Sequence, residues 1–397
     1  MNAAARRILT VNAGSSTLRF ALFEEGEQPR AILLGKIERI GTTHARWTIR
    51  DLDTRTSDER TIPASSHAAA TDYLLDWLEE SSAFRSVVVV AHRVVHGLTR
   101  SAPERVTPAL LEHLHHVVAL DPAHLPSQIA LMAGIAKRYP ALPQLACFDT
   151  AFHRGMPQVA RRMPIPRRYQ TVGIERYGFH GLSYAFLMRE LVRLGDAAAT
   201  RGRVILAHLG NGASLAAVLD GHGIDTTMGF TPSSGIMMST RCGDLDPALS
   251  YYLETNENMS SAQFHHMVNH GSGLLGVSES SADMRDLLAH EDSDERAAEA
   301  IAMFCYQAKK SIGAFAAALG GLDTLVFAGG IGENAPAVRE RICGDLGFLG
   351  IDLDAASNEQ PAAVISSSGS KVKVRVIRTD EELMLARLAL DFGTHLG

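Results

Sequence analysis

The sequence predicts an α/β protein made of two duplicated domains, and three observations predict it. Short apolar runs that read as strands alternate with segments of helical period, the pattern of mixed sheets covered by helices. A strand, glycine turn, strand unit at Arg7–Phe23 recurs half a chain later at Val204–Leu219, with Thr17-Leu18 aligned on Ser214-Leu215. The length, 397 residues, leaves room for two or three domains, and one repeat this long means duplication rather than a solenoid.

In order, Arg7-Ile-Leu-Thr-Val-Asn12 is an apolar run, Ala13-Gly-Ser-Ser16 is turn chemistry, and Thr17–Phe23 is a second strand, which together make a hairpin. Val87–Val90 reads as a buried strand, Pro108–Val118 as a helix, and Leu145–Asp149 as a strand before a polar turn. Arg154–Val172, rich in Arg and Pro, reads as irregular connection at a domain boundary. After the second hairpin come helices near Asp246–Tyr252, Ser261–Val268 and Asp294–Leu319, then a strand at Thr324–Phe327. Thr379-Asp-Glu-Glu382 reads as a capping box opening a C-terminal helix, with Glu382 closing the box.

Composition excludes several classes. A hydrophobic fraction of 46% and a charged fraction of 21% belong to a globular chain, not to a disordered or fibrous one. Lys and Arg number 38 against 44 acidic residues, so a net charge of −6 provides no bulk attraction for nucleic acid or anionic membrane. No apolar run is long enough to span a bilayer, and Ile8–Val11 breaks into a polar turn where a signal peptide would continue, so a cytoplasmic location is expected. Cys147, Cys242, Cys305 and Cys343 lie far apart, without a Cys-x-x-Cys pair, and are read as small buried hydrophobes. The groups His113, His115, His116 and His265, His266, His270 lack a zinc framework and are read as solvated or satisfied helix histidines.

Three glycine turns follow apolar strands: Asn12–Ser16, His208–Gly212 and Gly329–Asn334. Glycine there lets backbone N–H groups approach an anion, although each turn alone is equally an ordinary turn. No Walker sequence is present, and Gly329–Asn334 does not complete a dinucleotide fingerprint. The combination is more specific, because paired hairpin loops in duplicated domains can grip a nucleoside triphosphate.

Motifs along nearly the whole chain carry a resemblance. They are Val11-Asn-Ala-Gly-Ser-Ser-Thr-Leu-Arg19, His92-Arg-Val-Val-His-Gly97, Phe148-Asp-Thr-Ala-Phe-His153, Arg176-Tyr-Gly-Phe-His-Gly181 and His208-Leu-Gly-Asn-Gly212. Met228–Pro232, Thr240-Arg-Cys-Gly243, Ser272–Gly276, Asp283-Met-Arg285 and Gly330-Ile-Gly-Glu-Asn334 continue it. From Ile8 to about Arg387 the sequence resembles the acetate kinase family, the acetate and propionate kinase branch of the actin, sugar-kinase and heat-shock ATPase superfamily. The resemblance implies two actin-like (ribonuclease H-like) domains with an interdomain ATP cleft, spanning residues 1–153 with 380–397 and residues 154–379. It also implies a homodimer, and reversible phosphoryl transfer from ATP to a short-chain carboxylate.

By the same resemblance, Arg93 binds substrate, Arg241 stabilises the transition state, His180 donates a hydrogen bond to the transferring phosphoryl group, and Asp149 is the essential acid. The acyl pocket is formed by Val95, Ala123, Phe179 and Pro232, with His124 beside it. The nucleotide is taken by Ser15, Thr17 and Arg19, by His208, Leu209, Gly210, Asn211 and Gly212, by Asp283, Met284 and Arg285, and by Gly330, Ile331, Gly332, Glu333 and Asn334. Asn12 and Glu381 match the metal-associated positions for Mg²⁺, with Mn²⁺ as the alternative. An acid in the first turn of a capped helix is also favourable without any metal, and that alternative stands for Glu381.

An ionised carboxylate nucleophile needs no strong general base, so Asp149 is expected to position the arginines or metal-bound water. Planar guanidiniums at Arg93 and Arg241 suit carboxylate and phosphoryl oxygens. The sequence departs from the family pattern at Arg19 for lysine, at Ala123–Ser127, at Tyr184 for histidine and at Ser239 for glycine. Ala123 for a bulkier residue enlarges the pocket, and one buried methylene is worth about 0.8 kcal/mol. Ala123→Leu is therefore expected to lower activity on propionate relative to acetate; an unchanged ratio of kcat/KM between the two acids would remove the pocket argument.

Overall fold

The computed structural model describes residues 6–14, 16–81, 84–122 and 124–394. The site candidates Ser15 and Ala123 lie outside the described residues. The chain divides into two compact units, Met1–Ala151 with Asp380–Gly397, and Phe152–Thr379.

The first unit is built on strands β1 (Arg7–Ala13), β2 (Thr17–Glu24), β3 (Arg30–Glu38), β4 (Ala45–Asp51), β5 (Thr56–Ile62), β6 (Val87–Val94), β7 (Glu104–Arg105) and β8 (Gln144–Phe148). They lie in the order β5-β4-β3-β2-β1-β6-β8-β7. The second unit holds β9 (Arg203–Leu209), β10 (Ala213–Leu219), β11 (His222–Thr226), β12 (Thr324–Ala328) and β13 (Lys373–Val376), in the order β11-β10-β9-β12-β13. The segment β3-β2-β1-β6-β8 repeats that order. In both, the first three strands are antiparallel and the last two run parallel to the central one. The duplication read from the two hairpins is thus a repeated sheet topology. The final ladder pairs are Ala13 with Leu18 and Leu209 with Ala213, so Leu18 corresponds to Ala213 rather than Leu215. A shift of two keeps every side chain on its face.

Each sheet is held by packing that its sequence explains. In β2, Phe20 stands opposite Gly35 of β3, where a Cβ would lie 2.0 Å from the ring, so glycine makes room for it. The ring then meets Trp47 at 5.3 Å and Trp77 at 5.9 Å, with Tyr73 against Trp47. In the second unit the helix Glu295–Leu319 buries Ala297, Ala300, Ile301, Phe304, Ala308, Ile312 and Phe315, one stripe of helical period, and packs on β9 and β10. Asp294 caps its start by accepting from Arg296 and Ala297 N–H, and Gly320 ends it at φ 71°, a conformation that suits glycine.

The C-terminal helix, Glu381–Thr394, packs on β1, β2 and β6 of the first unit. Its cap corrects the sequence reading. Asp380, not Thr379, accepts the Leu383 N–H at 2.8 Å, while the Thr379 hydroxyl is engaged with Ser183 and its N–H with Glu333. Glu382 closes no capping box; burial, and then the charge of Glu381, push its carboxyl above the ordinary range. The expected irregular stretch after Arg154 carries two short helices, Gln158–Arg161 and Arg168–Thr171, braced where Glu175 pairs with Arg154 and Arg161. Cys147, Cys305 and Cys343 are buried, with thiols pushed up by burial, whereas Cys242 is half-buried.

Candidate active site

In the first unit, four predicted residues meet at the carboxyl ends of β1, β6 and β8, where ligands bind in open α/β sheets. Asn12 and Arg93 are the penultimate residues of β1 and β6, Asp149 follows β8, and Glu381 opens the helix packed on these strands. Alternation along β6 sends His92 to one face, where Nε2 meets Gln144 at 2.7 Å, and Arg93 to the other. Burial pushes His92 down to about 4, leaving it neutral and structural.

Arg93 donates from Nε (3.0 Å) and Nη2 (2.6 Å) to Oδ2 of Asp149, and from Nη1 (3.1 Å) to Oδ1 of Asn12. Asn12 Nδ2 in turn donates to Glu381 Oε2 at 3.1 Å. Burial opposes the Arg93 charge, but Asp149 and then Glu381 outweigh it and hold its pKa above the ordinary value. Burial, the largest influence on Asp149, pushes its carboxyl up, opposed by the Arg93 guanidinium that pairs with it. Asp149 is fully buried and Arg93 is 17% exposed, so this ion pair presents only the arginine to a ligand. Among the described residues, Oδ1 of Asp149 meets no hydrogen-bond donor.

Neighbouring groups stiffen the cluster. Gln128 accepts from Val95 N–H and donates to the Ala13 carbonyl, tying the ends of β6 and β1 to the helix Leu125–Arg138. Val95 is buried. His124, which precedes that helix, meets buried Asp121 at 2.8 Å through Nδ1. Sequence reasoning missed Gln128 and Asp121, because neither sits in a pattern of known chemistry.

In the second unit, the hairpin β9–β10 turns through Gly210–Gly212, closed by a Gly210 N–H to Gly212 carbonyl bond of 3.1 Å. The Asn211 carbonyl accepts from Ser239 N–H. His180 stands before the helix Gly181–Arg193 at φ 57°, ψ 23°, a left-handed conformation uncommon outside glycine. Its ring stacks on that of His208 at 4.3 Å. Serine hydroxyls contact both rings through Nδ1 at 2.8 Å, Ser214 on His180 and Ser183 on His208. Phe179 is buried, its carbonyl bonded by His153, and Pro232 gives its carbonyl to Nη1 of Arg241 at 3.1 Å.

A Cβ at Gly212 would stand 3.1 Å from Nε2 of His180 and 3.6 Å from Nη1 of Arg241, so both side chains close on this loop. Gly212→Ala is expected to lower kcat about tenfold to a hundredfold by displacing them, with the melting temperature nearly unchanged. Steady-state kinetics beside thermal unfolding checks this, and a wild-type kcat would refute it.

The remaining nucleotide candidates fall into three places. Thr17 closes the first hairpin loop, its carbonyl accepting from Gly14 N–H, and Arg19 is exposed on β2. Asp283 caps the helix Met284–His290 and holds Arg285 in a pair, with Met284 buried. Gly330, Ile331, Gly332, Glu333 and Asn334 form the helix Gly329–Asn334 directly after β12, and a Cβ at Gly329 would press on the Leu209 carbonyl at 2.7 Å. Glu333 is committed structurally, its Oε1 accepting from Gly329 and Thr379 N–H, and Asn334 donates to Gly330. The histidine groups on the helices Pro108–His116 and Ser261–His270 are exposed. Among the described residues, no three His, Cys, Asp or Glu side chains are disposed around a metal position.

The sequence profile of the Acetokinase family matches residues 7–387. An acetate kinase of Rhodopseudomonas palustris is 42% identical over 96% of both chains. A propionate kinase of Citrobacter rodentium is 40% identical over 96% of this chain and 95% of its own. The crystal structure of Porphyromonas gingivalis acetate kinase superposes with a TM-score of 0.88 at 34% identity, covering 99% of this chain and all of the other. A propionate kinase structure from Francisella tularensis gives a TM-score of 0.90 at 34% identity, over 96% and 98% of the two chains. With its repeated actin-like sheets and a profile match along almost its whole length, the chain belongs to the acetokinase family.

Proposed function

We propose that the protein transfers the γ-phosphoryl group of ATP reversibly to acetate, giving acetyl phosphate and ADP by direct in-line displacement. The observation that carries this reading is the Arg93 cluster. A guanidinium held on both edges by Asp149 and Asn12 is oriented before a ligand arrives, and it is the partner that a small carboxylate or phosphoryl oxygen requires. Acetate is ionised at neutral pH, so the main barrier is repulsion between anions. The chain supplies positioning and positive charge: Arg93 for the carboxylate, Arg241 and His180 for the transferring group, and the glycine loops for the nucleotide phosphates.

Mg²⁺, with Mn²⁺ as the alternative, fits the oxygen donors at the first cluster. Mg²⁺ takes one or two carboxylates and keeps waters and phosphate oxygens as its other ligands, and the partly exposed Glu381 carboxylate beside Asn12 offers such a donor. Bound by these residues, the ion would neutralise charge on the nucleotide phosphates. A homodimer and a cytoplasmic setting belong to the same reading.

Asp149 acts in it as a positioning residue, since both bonds from Arg93 land on its Oδ2. Asp149→Asn is expected to lower kcat at every pH and keep the shape of the pH profile. A residual activity that loses only an ionising base limb would identify Asp149 as a proton acceptor instead.

The full reading is tested by incubating the protein with ATP, Mg²⁺ and a panel of carboxylates, and trapping acyl phosphate as hydroxamate. Acetyl phosphate formation is the expected result. Preference for propionate or butyrate would move the assignment within the family, as the similarity to a propionate kinase allows. ATP loss without acyl phosphate would replace it with a nucleotide-gated ATPase or a hydrolase.

A further inference from the structure

We infer that Tyr184 is a positioning residue that fixes the tautomer of His180: its phenol donates to Ser214, Ser214 donates to Nδ1 of His180, and the neutral imidazole therefore carries its proton on Nε2. The functional consequence rests on the reading of His180 as a donor to the transferring phosphoryl group.

Proton counting along a closed chain carries the inference. Tyr184 and Ser214 are both fully buried. The Tyr184 hydroxyl lies 2.5 Å from Ser214 Oγ, and Ser214 Oγ lies 2.8 Å from His180 Nδ1. Each hydroxyl has one proton to give. Among the described residues, the hydrogen-bond partner of the Tyr184 hydroxyl is Ser214 Oγ, and no carbonyl or carboxylate accepts from it. If Nδ1 carried the proton and donated to Ser214, Ser214 would have to donate to the phenol, whose own proton would then be buried without a partner. A buried polar hydrogen without an acceptor is strongly disfavoured. One direction satisfies all three groups: phenol to serine, serine to Nδ1.

Nε2 is the ring atom that closes on the Gly210–Gly212 loop, 3.1 Å from where a Cβ of residue 212 would stand. With its proton there, His180 offers an N–H to an anionic oxygen; the other tautomer would present a lone pair and repel it. The backbone constrains the ring further, since His180 is held at φ 57° where its helix begins. Tyr184 follows on that helix, and its ring packs against Phe152 and His153. Burial pushes the phenol pKa upward, which keeps it a donor throughout the working range.

The test uses the full chain labelled with ¹⁵N-histidine, with nitrogen shifts read by long-range ¹H–¹⁵N correlation at a pH where the ring is neutral. The His180 signals are identified by their disappearance in His180→Gln. In the wild type, Nε2 is expected to show the shift of a protonated nitrogen and Nδ1 that of an acceptor. In Tyr184→Phe, which preserves the ring packing, the two shifts are expected to converge as tautomers mix. There kcat should fall about tenfold while KM for ATP and acetate stays within about twofold. A wild-type ring protonated on Nδ1, or unchanged shifts in Tyr184→Phe, would overturn the inference. Should Tyr184→Phe not fold, the wild-type spectrum and Ser214→Ala decide by the same criterion. A His180→Gln enzyme with undiminished kcat would instead overturn the role of His180 in transfer, while the tautomer assignment stood.

Discussion

Arg93→Gln is expected to lower kcat/KM for acetate by about thirtyfold to several thousandfold, the about 2–5 kcal/mol that losing one partner of a hydrogen-bonded charge pair costs. A second effect comes with it. Asp149 is fully buried and receives two N–H bonds from Arg93, so the substitution leaves a buried carboxylate beside Glu381 without its cation. Breaking a buried pair from one side costs about 3–5 kcal/mol, reduced to the extent that Asp149 takes up a proton. The sign of the pH dependence follows. Without Arg93, burial and Glu381 both raise the Asp149 pKa above its unfolded value. The variant then binds more protons when folded than when unfolded, so its stability is greatest below the ordinary carboxylate range and falls as pH rises through the raised pKa. Urea unfolding at acid and neutral pH measures this, and a variant more stable at neutral pH would contradict the proposed pairing. Arg93→Lys should recover stability better than activity, because an ammonium supplies the charge but not the planar fork.

Arg241→Gln is expected to lower kcat about a thousandfold and to change KM for ATP and acetate much less. The guanidinium reaches the loop where His180 also closes, and Nη1 is steadied by the Pro232 carbonyl. On the proposed reading it meets charge that develops on the transferring group rather than holding either ground-state substrate. Steady-state kinetics by hydroxamate trapping measures this. A rise in KM with kcat preserved would make Arg241 a binding residue instead.

Much of the fold was legible in the residues. The hairpins Arg7–Phe23 and Val204–Leu219, the strands after Val87, Gln144 and Thr324, and the helix Glu295–Leu319 all carry apolar runs or periodicity that only one structure satisfies. Strands β3, β4, β5, β7, β11 and β13 were not. β5, Thr-Ser-Asp-Glu-Arg-Thr-Ile, is exposed along nearly its whole length, and such an edge strand forms by pairing with β4 rather than by burying a face. The C-terminal cap was misread for a related reason. Thr379 and Asp380 are both good capping residues, and the choice fell to Asp380 because Ser183 and Glu333, distant in sequence, engage Thr379.

The sequence by itself determined the family, the duplicated α/β architecture and the identity of the charged groups, because motif order, glycine turns and side-chain chemistry are local properties of the chain. Only the tertiary structure decided which group holds which. Arg93 and Asp149 lie 56 residues apart, Asn12 and Glu381 369 apart, and each pair becomes one contact where the ends of β1, β6 and β8 meet the C-terminal helix. The direction of the hydrogen bonds from Tyr184 through Ser214 to His180 was equally beyond the sequence. Burial removes water as an alternative partner, and only then does each proton have a single place to go.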